Sequence, residues 1–296
     1  MIPNPARSAR IVALLTVAMT LPSAFADATH PDHVVTVPVA NMYSSSTEKS
    51  DVVSQAVLGS NVTTLKKKGK WLQVETSDQY KGWVRREVLH ANKTHPYASN
   101  GSVAQVINLF ANVYRDKDVT THAPILTLPF EARLEVLEEG KDKNARWLEV
   151  RLPDGKEGWI QRGDITFDPK ILTIPESIEL AKRFLGIPYL WGGRSSFGYD
   201  CSGFTQMLER SRGIFMPRDA DQQAAWDGVV QVDRKDLQAG DLLFFGESEK
   251  KITHTGMYIG NGEFIHDTTN THPLVQISRL DDEPWTKLLV AARRVK

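Results

Sequence analysis

The sequence predicts two small all-β units followed by a third domain that mixes helices with a β-hairpin. Three observations predict it. One stretch of the chain is repeated, and both copies alternate apolar and polar residues as half-buried strands do. From Ile174 onward the pattern changes to helical spacing interrupted by glycine-rich turns. The length of 296 residues suits two or three domains. Apolar residues make up 41% and charged residues 24%, an ordinary globular composition that excludes wholesale disorder and fibrous repeats. A formal net charge of +0 supplies no field for general nucleic-acid binding. A single cysteine excludes internal disulfides, cysteine-rich zinc sites and CxxC redox chemistry, and no metal or cofactor is expected.

The N-terminus reads as an export signal over residues 1–26. Arg7 and Arg10 precede the apolar run Ile11–Leu21, Pro22 breaks it, and Ala24-Phe25-Ala26 supplies small residues for cleavage. The run falls short of the ~20 apolar residues a membrane helix needs. The expectation is an exported protein, periplasmic or secreted, with no stable membrane insertion after cleavage.

The duplication begins with Ala40-Asn41-Met42-Tyr43 against Ala111-Asn112-Val113-Tyr114. It continues with Lys70–Val84 (KWLQVETSDQYKGWV) against Arg146–Ile160 (RWLEVRLPDGKEGWI). In both copies a Trp (Trp71, Trp147) stands eleven residues before the Gly of a Gly-Trp pair. Pro153-Asp154-Gly155 is a turn, because Pro presets φ and Gly accepts positive φ. Each copy reads as strand, turn, strand, with Trp71 and Trp147 expected to fill small cores. The exposed-looking Tyr80 is as open to a binding role as to a packing one. Lys66–Lys70 reads as a solvated hairpin turn, Ala91–Gly101 as a linker, and Asp168–Thr173 as a second linker. These motifs resemble those of bacterial SH3-like domains, over 34–90 and 102–166. That resemblance implies wall-binding or substrate-shaping modules.

In the third segment, 174–296, Pro175-Glu176-Ser177 opens a helix with apolar positions at Ile178, Ala181, Phe184 and Leu185, ended by Gly186. Gly192, Gly193 and Gly198 make a tight loop. Phe204, Met207 and Leu208 then have helical spacing, so Cys201 falls at a helix start behind Asp200. Unpaired N–H groups there favour a thiolate, which lowers a thiol pKa from about 8.5. Asp200 opposes that shift, which suggests that its carboxylate binds something. A nucleophilic thiol needs a histidine as proton partner. Of eight histidines, His30, His33, His90, His95, His122 and His272 read as solvated. His254 and His266 lie on the two arms of a hairpin turning at Gly260-Asn261-Gly262, where both rings can share one region.

Four strings in order, PYLWGGRSSFGYDCSGF (Pro188–Phe204), PRDADQQ (Pro217–Gln223), GDLLFF (Gly240–Phe245) and HTGMYIGNGEFIH (His254–His266), resemble the NlpC-type cell-wall cysteine peptidases. With the two repeats in front, the layout is similar to that of the γ-D-glutamyl-L-diamino acid endopeptidases. The resemblance implies an α+β, papain-like domain with Cys201 as nucleophile, His254 as general base and acid, and His266 as the orienting residue. It implies Tyr189, Asp200, Ser202 and Arg218 as substrate-pocket residues, with Tyr189 helping the Cys201 amide hold the oxyanion. The implied substrate is a peptidoglycan stem peptide with a free L-Ala, whose ammonium Asp200 would bind. Thr255, Ala220 and Asp267 depart from the family pattern. Two other readings stay open: a catalytically inert wall-binding protein, and an amidase or acyltransferase on the same fold.

Overall fold

The protein is described by a computed structural model covering residues 31–296, so the export signal over 1–26 lies outside the described residues. The first unit contains β1 (His33–Val35), β2 (Val39–Tyr43), β3 (Val52–Val57), β4 (Asn61–Lys68), β5 (Trp71–Glu75), β6 (Lys81–Arg85) and β7 (Leu89–Ala91). The second contains β8 (Val103–Val106), β9 (Phe110–Tyr114), β10 (Leu126–Pro129), β11 (Arg133–Glu139), β12 (Trp147–Arg151), β13 (Glu157–Gln161) and β14 (Ile165–Thr166). Their strand orders, β3-β2-β6-β5-β4-β1-β7 and β10-β9-β13-β12-β11-β8-β14, are the same order used twice.

The repeated motifs have a packing reason. The Tyr of each early motif meets the first Trp edge-on, Tyr43 with Trp71 at 5.5 Å and Tyr114 with Trp147 at 5.7 Å. Each Gly-Trp glycine crosses the neighbouring strand where a side chain cannot fit. A Cβ would meet Met42 Cβ at 2.7 Å from Gly82 and Val113 Cγ1 at 2.6 Å from Gly158. The β5–β6 and β12–β13 turns both need positive φ, taken by Gln79 (63°) in one copy and Gly155 (86°) in the other. The supposed linker 91–101 is partly packed. Tyr97 and Ala98 are buried, and Tyr97 donates its hydroxyl to the Arg151 carbonyl, so the connector ties the two units together.

The third segment opens with α1 (Ile174–Lys182), whose capping box pairs Thr173 with Glu176. Leu185, expected on its apolar face, is exposed. After the short pair β15 (Arg194–Ser195) and β16 (Gly198–Tyr199) come α2 (Cys201–Ser211) and α3 (Ala220–Ala224). The antiparallel sheet follows: β17 (Val229–Gln231), β18 (Leu242–Ser248), β19 (Lys251–Gly260), β20 (Glu263–Thr268), β21 (Leu274–Arg279) and β22 (Leu289–Val295), with α4 (Trp285–Leu288) between the last two. Its order is β17-β22-β18-β19-β20-β21. Helix α2 packs on β19 and β20 through a core of Phe204, Met207, Leu208, Phe244, Met257 and Ile265. This is the helices-on-antiparallel-sheet arrangement the sequence implied. Phe130, from the second all-β unit, is built into the same core.

Candidate active site

Cys201 is the first residue of α2 and is 8% exposed. Asp200 caps the helix, accepting the Gly203 N–H at 2.7 Å. Gly203 is required because the Gly193 carbonyl rests on the first turn, 2.2 Å from where a Cβ would be. Arg218, 2% exposed, fixes this corner. Its Nη1 donates to Asp200 Oδ1 at 2.9 Å and Ser202 Oγ at 2.8 Å. Its Nη2 donates to Asp200 Oδ2 at 2.7 Å and to the Gly193 carbonyl at 3.1 Å. Asp200 Oδ2 also accepts the Gly192 N–H at 3.0 Å. Both Asp200 oxygens therefore accept hydrogen bonds within the protein, with Arg218 as the paired cation. Asp200, Ser202 and Arg218, all expected in the substrate pocket, are thus brought together in one hydrogen-bonded cluster at the start of α2.

The hairpin brings the two histidines together. Nε2 of His254 lies 2.8 Å from Nδ1 of His266, and Nε2 of His266 lies 3.0 Å from Oγ of Ser278 on β21. His266 is fully buried, whereas His254 keeps an accessible edge. Trp285 packs on both rings, at 5.2 Å from His254 and 4.7 Å from His266. With Nε2 of His254 engaged, Nδ1 is the nitrogen left for a reacting partner. Helix α2, which begins at Cys201, packs against β19, the strand that carries His254.

Burial works against the expected resting thiolate. Burial, with Asp200 next, pushes the Cys201 thiol up to about 12, against the opposing pull of the Thr255 and Ser202 amides and Arg218. Burial pushes His254 down to about 3, and burial and His254 together hold His266 well below the usual histidine range. The resting pair is thus a neutral thiol and a neutral imidazole. The helix start cannot stabilise an anion as expected, because its cap is itself a carboxylate and the sulfur is out of water.

Tyr189 is half-buried beside this corner, and its hydroxyl is held protonated by burial and by the negative charge Cys201 and Asp200 can carry. Asp267 is fully buried, and among the described residues neither carboxylate oxygen has a hydrogen-bond partner; burial and Asp200 raise it to about 8. Sequence reasoning missed Asp78 and Asp219, and left Tyr80 undecided. Tyr80 donates to Asp219 Oδ2 at 3.2 Å, across the boundary between the first all-β unit and the third segment. Asp78 meets Arg194 Nη2 at 3.4 Å and accepts Gln206 Nε2 at 3.1 Å. The signal available was Tyr80 itself, an aromatic on a turn, and the acid after Arg218. The other described histidines lie outside the site; His33 is half-buried and meets Thr64 Oγ1 at 3.0 Å.

A cysteine at a helix start facing a strand that carries a histidine pair defines a cysteine-hydrolase type of site. Residues 186–294 match the model of the NlpC/P60 family, residues 38–90 that of the bacterial SH3 domain, and residues 93–166 that of the GW (Gly-Tryp) dipeptide domain. The two repeats, equal in strand order, thus match different models. The chain is 34% identical to a gamma-D-glutamyl-L-lysine dipeptidyl-peptidase of Bacillus cereus, over 84% of this chain and 76% of the relative. It is 31% identical to the enzyme of that name from Bacillus subtilis, over 82% and 81%. The crystal structure of an NlpC/P60 family protein from Bacillus cereus superposes with a TM-score of 0.77 at 28% identity, covering 89% of this chain and 99% of that one. The protein belongs to the NlpC/P60 family.

Proposed function

We propose that the protein is a cysteine endopeptidase that cuts the bond between γ-D-glutamate and the diamino acid of peptidoglycan stem peptides bearing a free N-terminal L-Ala. Cys201 is the nucleophile, His254 the base and acid, and His266 the orienting residue. The observation that carries this reading is the 2.8 Å His254–His266 contact, which leaves Nδ1 of His254 for the thiol at the start of α2, the helix packed on β19. The names of the two Bacillus relatives support the substrate class.

Because thiol and imidazole are both neutral at rest, His254 takes the Cys201 proton at Nδ1 as the sulfur attacks the γ-carbonyl carbon. The Cys201 amide and the Tyr189 hydroxyl donate to the oxyanion. His254 then protonates the leaving amine of the diamino acid. Water, deprotonated by His254, opens the thioester and releases L-Ala-D-Glu, and the thiol regains its proton. The L-Ala ammonium is taken at the acidic edge formed by Asp200 and by Asp219, with Tyr80 beside the latter. The protein works outside the cytoplasmic membrane, in the periplasm, as the export signal and wall-type modules suggest. Among the described residues no helix is long and apolar enough to cross a membrane.

The burial of Cys201 favours the inert wall-binding reading, because burial raises the thiol and a protonated thiol is a poor nucleophile by itself. Incubation with L-Ala-γ-D-Glu-diaminopimelate and its N-acetyl form separates the readings. The endopeptidase releases L-Ala-D-Glu from the free peptide, loses that activity in Cys201→Ala, and cleaves the acetylated peptide at least tenfold more slowly. No cleavage of either by the wild type leaves the inert reading, and equal rates on both remove the ammonium site.

A further inference from the structure

The hydrogen-bonded chain does not stop at His266. We infer that Ser278 is a fourth, positioning member of the catalytic array, acting through His266 to keep His254 in the tautomer that can accept the Cys201 proton. This rests on the proposed roles of Cys201 and His254.

The placement of the protons decides the direction of the chain. Both imidazoles are neutral, so each carries one N–H. For His254 to act as base, Nδ1 must be bare and Nε2 must carry the hydrogen. That hydrogen, 2.8 Å from His266, makes Nδ1 of His266 the acceptor. The single hydrogen of His266 must then sit on Nε2, 3.0 Å from Ser278 Oγ. In the reversed chain Ser278 donates to His266, His266 donates to His254, and Nδ1 of His254 carries a hydrogen and cannot take another. His266 is fully buried, and among the described residues Ser278 Oγ is the one partner its Nε2 has. Ser278 is half-exposed and lines an open cavity of about 310 Å³ with Arg279, Asp282 and Trp285. Its hydroxyl has no other partner within the described residues and can hand its own hydrogen to the cavity while accepting from His266. No charge or covalent bond changes at Ser278. When His254 becomes imidazolium, its Nε2–H still points to His266, and the chain keeps one direction through the cycle.

The test compares Ser278→Ala, Ser278→Thr and His266→Ala, singly and with Ser278→Ala combined with His266→Ala, using L-Ala-γ-D-Glu-diaminopimelate. Ser278→Ala should lower kcat about tenfold with KM unchanged, since one buried hydrogen-bond acceptor is lost. Ser278→Thr, which keeps a hydroxyl, should restore most of the rate. In the His266→Ala background, Ser278→Ala should cost nothing more. Nitrogen-15 spectra of the wild type should show His266 protonated at Nε2, with that population falling in Ser278→Ala. An additive loss in the double variant, a loss confined to KM, or His266 protonated at Nδ1 in the wild type would each overturn the proposal. Cys201→Ala, run alongside, tests the reading beneath it. If that variant stays active the nucleophile is wrong; if it is dead while Ser278→Ala is unimpaired, only the fourth member falls.

Discussion

The two all-β units share a strand order, a Tyr–Trp pair and a Gly-Trp crossing, yet they meet the third segment in different ways. The second is an anchor. Phe130 enters the third segment's core, Glu131 makes a paired contact with Arg210 at 2.5 and 3.0 Å, and Phe110 stacks on Phe197 at 5.7 Å. The first unit reaches the loops around the site, through Gln55 to the Arg194 amide at 3.0 Å, Asp78 to Arg194 and Tyr80 to Asp219. Asp78 and Asp154 occupy the same position of the same turn. Asp78 is buried against Arg194, whereas Asp154 binds Lys156, its own neighbour in the turn, at 2.7 Å. A duplicated barrel is specified by its repeated residues; its role is specified by the few turn residues that differ and by what lies opposite them.

The comparison can be broken at its strongest point first. Glu131→Ala leaves Arg210 buried without its partner and should destabilise by about 3 kcal/mol, read as a fall in Tm, with KM of the remaining folded enzyme little changed. Asp78→Ala takes the carboxylate from buried Arg194 and one of two acceptors from Gln206 Nε2, and should cost about 2 kcal/mol while also raising KM; Asp154→Ala should stay within about 0.5 kcal/mol. Equal losses at Asp78 and Asp154 would erase the distinction between the units.

The contrast also has a pH signature. Burial alone would raise Asp78, but Arg194, Thr76 and Gln206 outweigh it and hold the carboxyl below the usual aspartate range of 3.8. A depressed folded pKa gives stability that is present above 3.8 and lost as pH falls through the folded value. Acid unfolding followed below pH 3.8 should therefore be shallower in Asp78→Asn than in the wild type. The smallest effect belongs to Tyr80→Phe, which removes one hydroxyl contact to Asp219. It should raise KM a few-fold, about 1 kcal/mol or less, with the fold unchanged by circular dichroism.

Much of this was legible in the sequence, for local reasons. The Trp and Gly-Trp spacing encodes neighbouring strands of one barrel, and Gly260-Asn261-Gly262 does turn a hairpin that joins His254 to His266. Partners 139 residues apart, such as Tyr80 and Asp219 or Gln55 and Arg194, leave no periodicity to read. The state of the thiol was harder to read for a related reason. A helix start is visible in the pattern, but the burial of Cys201 and the pairing of Asp200 with Arg218 depend on the assembled corner. Ser278 gave no signal, since a lone serine in a strand has no motif around it.

The central claim is that the sulfur of Cys201 becomes covalently joined to the γ-glutamyl carbon during turnover. Rapid acid quenching of the protein with L-Ala-γ-D-Glu-diaminopimelate, followed by digestion and mass analysis, measures this directly. A peptide containing Cys201 should be heavier by the L-Ala-γ-D-Glu acyl group, and that species should be absent from Cys201→Ala. Cleavage of the substrate with the acyl group on another residue, or by a Cys201→Ala variant at the wild-type rate, would contradict it.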